Sequence, residues 1–318
     1  LFKELLDSKD ATVRRKDGDV EAAFKSAAEV VRSEYQCPFL SHSPMEPMNF
    51  FAHVRDDGAE LIGPTQTPDR ARNEAAKLLG VSPEKITVNL TRLGGGFGRR
   101  LQADYVLGAV EVSRIMKAPV KVVWTREDDM TGGSYRPAVR YRFEAALDAK
   151  GNMIGYKPRG VGINAGNSTR EDNFPSGAVD HLLIDSIDHK SPITTGPWRA
   201  PITNFLAFAE QSFLDEVALA AKKDPVEFRL ELLDRAKRSP VGEIKYDIDR
   251  MKGVIELAAE KSGWGKKKNV FQGFSVYFSH RSYVAQVAEI EMKTNNPVLK
   301  NGHCEIAYEL FIDFQFNC

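Results

Sequence analysis

Between a strand-like stretch and a helix-like stretch the chain carries Gly94-Gly95-Gly96-Phe97-Gly98-Arg99-Arg100, and this run limits what the surrounding segment can become. Glycine reaches φ > 0 without steric cost and keeps side chains away from the peptide N–H groups, so a backbone nest for an anion can form here. Upstream, Ile86, Val88 and Leu90 alternate with polar residues, the period of a half-buried strand over Ile86 to Leu93. Downstream, Tyr105, Ala109, Val112 and Met116 recur at helical spacing and predict an amphipathic helix from about Gln102 to Met116. The N-terminus of that helix and the charges of Arg99 and Arg100 both favour an anion. A second reading stays open, because glycine-rich turns between strand and helix are often only tight connections. Phe97 bears on the choice: it has no neighbour in its own loop to pack on and must face the core or an open pocket.

The spacing excludes the two common nucleotide loops. A dinucleotide turn needs G-x-G-x-x-G, yet the third glycine counted from Gly94 falls on Arg99, and no Gly-Lys-Ser/Thr of a P-loop is present. A nicotinamide-dependent oxidoreductase is therefore disfavoured. With 44 Lys+Arg against 44 Asp+Glu there is no broad basic footprint for nucleic acid or acidic lipid, so any anion site is local. No stretch has the 18 or more apolar residues of a transmembrane segment, and the start lacks a signal-peptide pattern, which predicts a soluble protein and leaves its compartment open. Because the chain begins with Leu, a targeting segment ahead of it stays open. Cys37, Cys304 and Cys318 show no metal-binding spacing, the pair His303-Cys304 lacks further ligands, and neither G-x-S-x-G nor H-E-x-x-H occurs, so no metal ligands are assigned.

Along the chain, helices are expected at Asp19 to Val31, Asp69 to Leu79, Asn204 to Ala221, from Asp224-Pro225 onward, and at Arg250 to Lys261. Strands are expected at Leu61 to Pro64, Pro119 to Trp124, Tyr135 to Leu147, Met153 to Gly162, Gly273 to Phe278 and Val284 to Met292. Thr125 to Met130 reads as a charged turn, Ala165 to Ile193 as a loop-rich region, and Lys237 to Asp247 as a linker. Pro38, Pro44 and Pro47 force an extended path through Tyr35 to Asn49, where Glu46 is either a solvated loop residue or a buried functional carboxylate. A second special loop, Thr195-Gly-Pro-Trp-Arg-Ala-Pro201, opens the helix at Asn204, and its Trp198 and Arg199 either anchor that helix or serve a site.

Taken in order, His42-Ser-Pro-Met-Glu-Pro47, Gly63-Pro-Thr-Gln66, Gly94 to Arg100, Thr125-Arg-Glu-Asp-Asp-Met130, Gly196-Pro-Trp-Arg-Ala-Pro201 and Glu210-Gln-Ser-Phe-Leu-Asp-Glu216 resemble one family. It is the molybdopterin-binding large subunit of the xanthine dehydrogenase and aldehyde oxidase family, with the nearest likeness to its isoquinoline 1-oxidoreductase beta-subunit branch. The resemblance covers about Asp19 to Met292. It implies a mixed α+β fold, that of the molybdenum-cofactor-binding domains of molybdenum hydroxylase large subunits, here incomplete. Residues 1–236 would be the first such domain with its preceding connecting segment, and 237–318 the start of a second, truncated or divergent after about 299.

The same resemblance implies a molybdopterin cofactor in its cytosine dinucleotide form, held by Gly95, Gly96, Phe97, Gly98, Arg99, Arg199 and Gln66. Phe97 and Arg199 would also orient substrate. The activity implied is oxidative hydroxylation of an N-heteroaromatic or aldehyde substrate, with water as the oxygen source and electrons passed to iron–sulfur clusters on a small partner subunit. Such cofactors supply the hard chemistry while the protein positions them. The family's general-base glutamate, in a Gly-x-Gly-Glu-Pro-Gly-like motif, has no counterpart in this sequence, so no catalytic residue is assigned and the chain alone is expected to turn over little or nothing. The alternative is a non-catalytic anion-, nucleotide- or partner-binding remnant.

Overall fold

The computed structural model describes residues 1–268, 270–293, 296–301 and 307–308, with side chains through residue 290. In chain order the first elements are α1 (Phe2–Leu6), β1 (Thr12–Asp17), α2 (Val20–Ser26), β2 (Glu29–Cys37), β3 (Leu40–Ser41), β4 (Asn49–Arg55), β5 (Gly58–Gly63), α3 (Pro68–Leu79) and β6 (Ile86–Leu90). After the glycine loop come α4 (Asp104–Met116), β7 (Val120–Val123), α5 (Arg126–Thr131), β8 (Tyr135–Arg136), β9 (Val139–Leu147), β10 (Met153–Ile163) and β11 (His181–His189). The chain continues through α6 (Thr203–Ala220), α7 (Pro225–Arg238), α8 (Ile248–Ser262), β12 (Phe271–Ser279), β13 (Ser282–Lys293), β14 (Asn296–Asn301) and β15 (Ala307–Tyr308).

A four-stranded and a five-stranded sheet build the two apolar cores. The smaller runs β6-β5-β4-β7, with β5 and β6 parallel through the crossover helix α3, and buries Phe50, Leu61, Ala75, Tyr105, Val106 and Val110 beneath α3 and α4. The larger runs β1-β11-β10-β9-β2, and only its β10–β11 pair is parallel. Its core joins Tyr141 and Phe143 of β9 to Phe213 of α6, Leu233 of α7, Ile255 of α8 and Phe274 of β12. One apolar core is thus continuous across residue 237, where the linker was expected.

Several expectations are corrected. The helix expected from Asp19, α2, stops at Ser26, and Val30 and Val31 belong to β2, where β-branched side chains fit a pleated strand. The turn at Thr125 is a helix, α5, closed by a capping box between Thr125 and Asp128. The loop-rich region contains β11, and β1 and β4 are strands beyond those expected. On α4 the buried face is Tyr105, Val106, Ala109, Val110 and Ser113, while Val112 and Met116 are exposed, so the apolar stripe is rotated from the expected one. On α6, Phe208 is 53% exposed. His303, Cys304 and Cys318 lie outside the described residues.

Other expectations hold. Gly80 ends α3 in the left-handed region, and the Asp224 carboxylate accepts the amides of Val226 and Glu227 ahead of α7, with Pro225 at its first position. The capping box of α5 is directly testable. Thr125→Ala is expected to cost about 1 kcal/mol in urea unfolding, because the Asp128 amide loses its acceptor.

Candidate functional site

The glycine loop leaves the end of β6, and a 3-10 turn at Arg99–Leu101 separates it from α4. The expected direct junction of loop and helix is therefore absent, and the first turn of α4 presents Asp104, whose carboxylate receives both Nη atoms of Arg99 at 2.8 and 2.7 Å. Arg99 is 1% exposed and lies against the rings of Trp124 and Tyr105, at 5.5 and 5.7 Å. Arg100 is fully buried and donates to the carbonyls of Gly95, Pro64, Glu46 and Pro47 and to the Glu46 carboxylate. The Nη atoms of Arg99 and the Arg100 guanidinium, expected to face an anion, are thus engaged inside the chain, while Arg99 Nε is buried without a partner among the described residues.

What remains available is main chain. Three carbonyls in a row are tied to protein donors: Gly94 O to Glu46 N at 3.1 Å, Gly95 O to Arg100 Nε at 2.9 Å, and Gly96 O to Arg99 N at 2.9 Å. In a trans peptide the C=O and the next N–H point to opposite sides. Fixing those oxygens therefore turns the amides of Gly95, Gly96 and Phe97 the other way, and among the described residues none of the three donates to a protein acceptor. The amides on either side are occupied: Gly94 N donates to Glu46 Oε2 at 2.8 Å and Gly98 N to Gln66 Oε1 at 3.1 Å. Gly95, Phe97 and Gly98 all have positive φ, and Phe97 is 43% exposed.

The glycines are required by the chain itself. A Cβ on Gly94 would overlap Glu46, one on Gly96 would overlap the Gln66 carboxamide, and one on Gly98 would overlap the Pro197 carbonyl. That last approach joins the two special loops, and Arg199 N completes the junction by donating to Phe97 O at 2.9 Å. His42 braces the second loop from behind, with Nε2 2.8 Å from Pro197 O and Nδ1 3.2 Å from Ser134 O. Burial pushes the His42 pKa down, and a neutral imidazole can donate to only one of these two acceptors. The Arg199 side chain is exposed. The structure therefore brings Gln66, Gly95 to Arg99 and Arg199 into one locality built from three separate stretches of sequence.

A family model described as molybdopterin cofactor-binding domain matches residues 5–184, more than half of the chain and all of the glycine loop. This chain belongs to the molybdopterin cofactor-binding domain family. Isoquinoline 1-oxidoreductase subunit beta of Brevundimonas diminuta is 28% identical over 316 residues, covering 92% of this chain and 38% of that protein. A membrane-bound aldehyde dehydrogenase of Gluconacetobacter polyoxogenes, whose name carries pyrroloquinoline-quinone, is 32% identical over 278 residues, 79% of this chain and 35% of that protein. Quinoline 2-oxidoreductase from Pseudomonas putida 86 shares the fold with a TM-score of 0.69 at 20% identity, covering 86% of this chain and 38% of that one. The chain spans little more than a third of the length of these relatives. The resemblance and the mixed helix-and-strand fold expected from the ordered motifs are both met.

Within this molybdopterin-binding domain, sequence reasoning had no role for Arg100 beyond free charge, none for His42, and only an open choice for Glu46. Glu46 is one-third exposed, and its carboxylate is shared among Gly94 N, Arg100 Nη2 and Asn49 Nδ2. Both belong to the run His42-Ser-Pro-Met-Glu-Pro47, whose meaning depends on partners found only in three dimensions.

Proposed function

We propose that this chain supplies part of the molybdopterin cradle in a molybdenum hydroxylase large subunit that oxidises an aldehyde or an N-heteroaromatic compound. The observation that carries this reading is the row of three amides at Gly95, Gly96 and Phe97, turned away from their anchored carbonyls and without a protein acceptor among the described residues. Consecutive main-chain donors of this kind suit the oxyanions of a phosphate or pyrophosphate. In this reading Gly98, Gln66 and Arg99 frame the nest, the half-exposed Phe97 ring stands beside it, and Arg199 adds an exposed positive charge. Phe97 and Arg199 also orient substrate. When bound, the cofactor supplies two-electron redox chemistry at molybdenum; the chain's part is to hold and orient.

The finer assignments belong to the same proposal. The cofactor is the cytosine dinucleotide form, electrons leave through iron–sulfur clusters on a small partner subunit, and no general base is assigned among the residues of this chain. The boundary at about residue 237 is kept as a change of sheet over a shared core. Among the described residues no helix is long and apolar enough to cross a membrane, and the compartment in this reading is the bacterial cytoplasm or periplasm.

Coexpression with an iron–sulfur partner, followed by metal analysis and fluorescence of the oxidised pterin, tests the reading. Molybdenum and pterin in equal amounts, both lost when Gly96 is replaced by Val, are the expected result. A quinone in the absence of molybdenum and pterin, as the name of the Gluconacetobacter polyoxogenes relative suggests for that protein, would overturn it.

A further inference from the structure

We infer that Glu46 is a positioning residue that decides which amides of the glycine loop stay free. The inference rests on the nest reading above, but its core is a statement about this chain's own hydrogen bonds. Glu46 holds Gly94 from both sides: its N–H donates to Gly94 O at 3.1 Å and its Oε2 accepts from Gly94 N at 2.8 Å. The first contact turns the Gly95 amide away from Glu46, and the second removes the Gly94 amide from the available set. The free row therefore begins at Gly95.

Glu46 also acts one peptide further on, through charge. Arg100 is fully buried, and among the described residues Glu46 is its ion-pair partner, at 3.0 Å. A buried guanidinium needs that counter-charge to stay in place. Held there, Arg100 points Nε at Gly95 O and so orients the Gly96 amide. The carboxylate thus holds the Leu93–Gly94 peptide directly and the Gly95–Gly96 peptide through Arg100, while the Glu46 main-chain N–H holds the Gly94–Gly95 peptide between them. Because the pair is neutral overall, Glu46 brings no net repulsion to an anion placed on the other face of the loop. Asn49 Nδ2, at 2.9 Å from Oε1, sets the carboxylate's own orientation.

The test reads individual backbone amides of the full chain by NMR, first by hydrogen exchange without ligand and then in a titration with inorganic pyrophosphate. In the wild type the Gly94 amide is protected, and pyrophosphate shifts Gly95, Gly96 and Phe97 but not Gly94. In Glu46→Ala the Gly94 amide is expected to exchange at least about tenfold faster, the usual scale for losing a hydrogen bond to a charged acceptor. Gly94 then joins the set that responds to pyrophosphate.

Glu46→Asp, which keeps the charge but withdraws the acceptor by one methylene, should release Gly94 in the same way and serves if the alanine variant does not fold. Glu46→Gln, which keeps an acceptor at the same reach, should hold Gly94 protection to within about threefold. General loosening would instead accelerate amides throughout the smaller sheet. Unchanged Gly94 exchange in both the alanine and aspartate variants overturns the positioning role. A wild-type loop indifferent to pyrophosphate overturns the nest reading, while the ligand-free exchange still decides the role of Glu46.

Discussion

Replacing Gly98 by alanine is expected to destabilise the chain by roughly 3 kcal/mol or more, whereas Gly80→Ala costs about 1–2 kcal/mol. Both glycines have positive φ, at 98° and 69°, so both substitutions carry backbone strain. The difference lies in the space around them. A Cβ on Gly80 meets nothing within 4 Å, but one on Gly98 overlaps the Pro197 carbonyl, a main-chain group that cannot rotate away. Relief requires the second loop to retreat, which also breaks the bond from Arg199 N to Phe97 O. Urea unfolding of the two variants side by side checks this. Equal losses would mean that the two loops do not depend on their close approach.

The second large effect concerns Glu210, which is buried on α6 and accepts from the Tyr277 hydroxyl at 2.8 Å. Burial pushes its pKa from an ordinary 4.5 up to about 8, and hydrogen bonds from Tyr277 and Asn173 and the charge of Arg170 only partly offset that. The remaining ionisable neighbours, Tyr141 and Tyr156, are themselves buried and neutral. Between pH 4.5 and 8 the folded chain keeps this proton while the unfolded chain releases it. Stability therefore falls as pH rises through that window, by about 1.4 kcal/mol per unit and on the order of 4 kcal/mol in all. Glu210→Gln removes the cost, because the carboxamide does not ionise. The variant should match the wild type near pH 4.5 and exceed it by several kcal/mol at pH 8 in urea unfolding. Parallel stability profiles for the two proteins would show that Glu210 is ionised in the fold.

Local chemistry made parts of this molecule readable in advance. Gly80, Asp224-Pro225 and the short connection between the strands ending at Leu147 and beginning at Met153 act within a few residues of themselves, and the structure places them as the sequence does. The strands β1 and β11 were not legible, because each is defined by a partner far away in the chain, Thr12 opposite Ser186. The glycine loop was legible as a place, but the reason for its glycines was not. They make room for Glu46, Gln66 and Pro197, which approach from three other segments. Arg99 and Arg100 read as free charge because their partners, Asp104 and Glu46, are assigned only by folding.

The junction between the two loops also sets an order of assembly during synthesis. The smaller sheet uses residues 49–123, and the ties that orient the Gly94, Gly95 and Gly96 carbonyls come from Glu46, Arg100 and Arg99, all present once that stretch has emerged from the ribosome. The bond that fixes the Phe97 carbonyl comes from Arg199. At ordinary translation rates that residue follows Val123 by on the order of ten seconds. For that interval the nascent chain carries a loop oriented at its first three peptides and unheld at Phe97, and the pocket acquires its final outline only as the start of α6 is made.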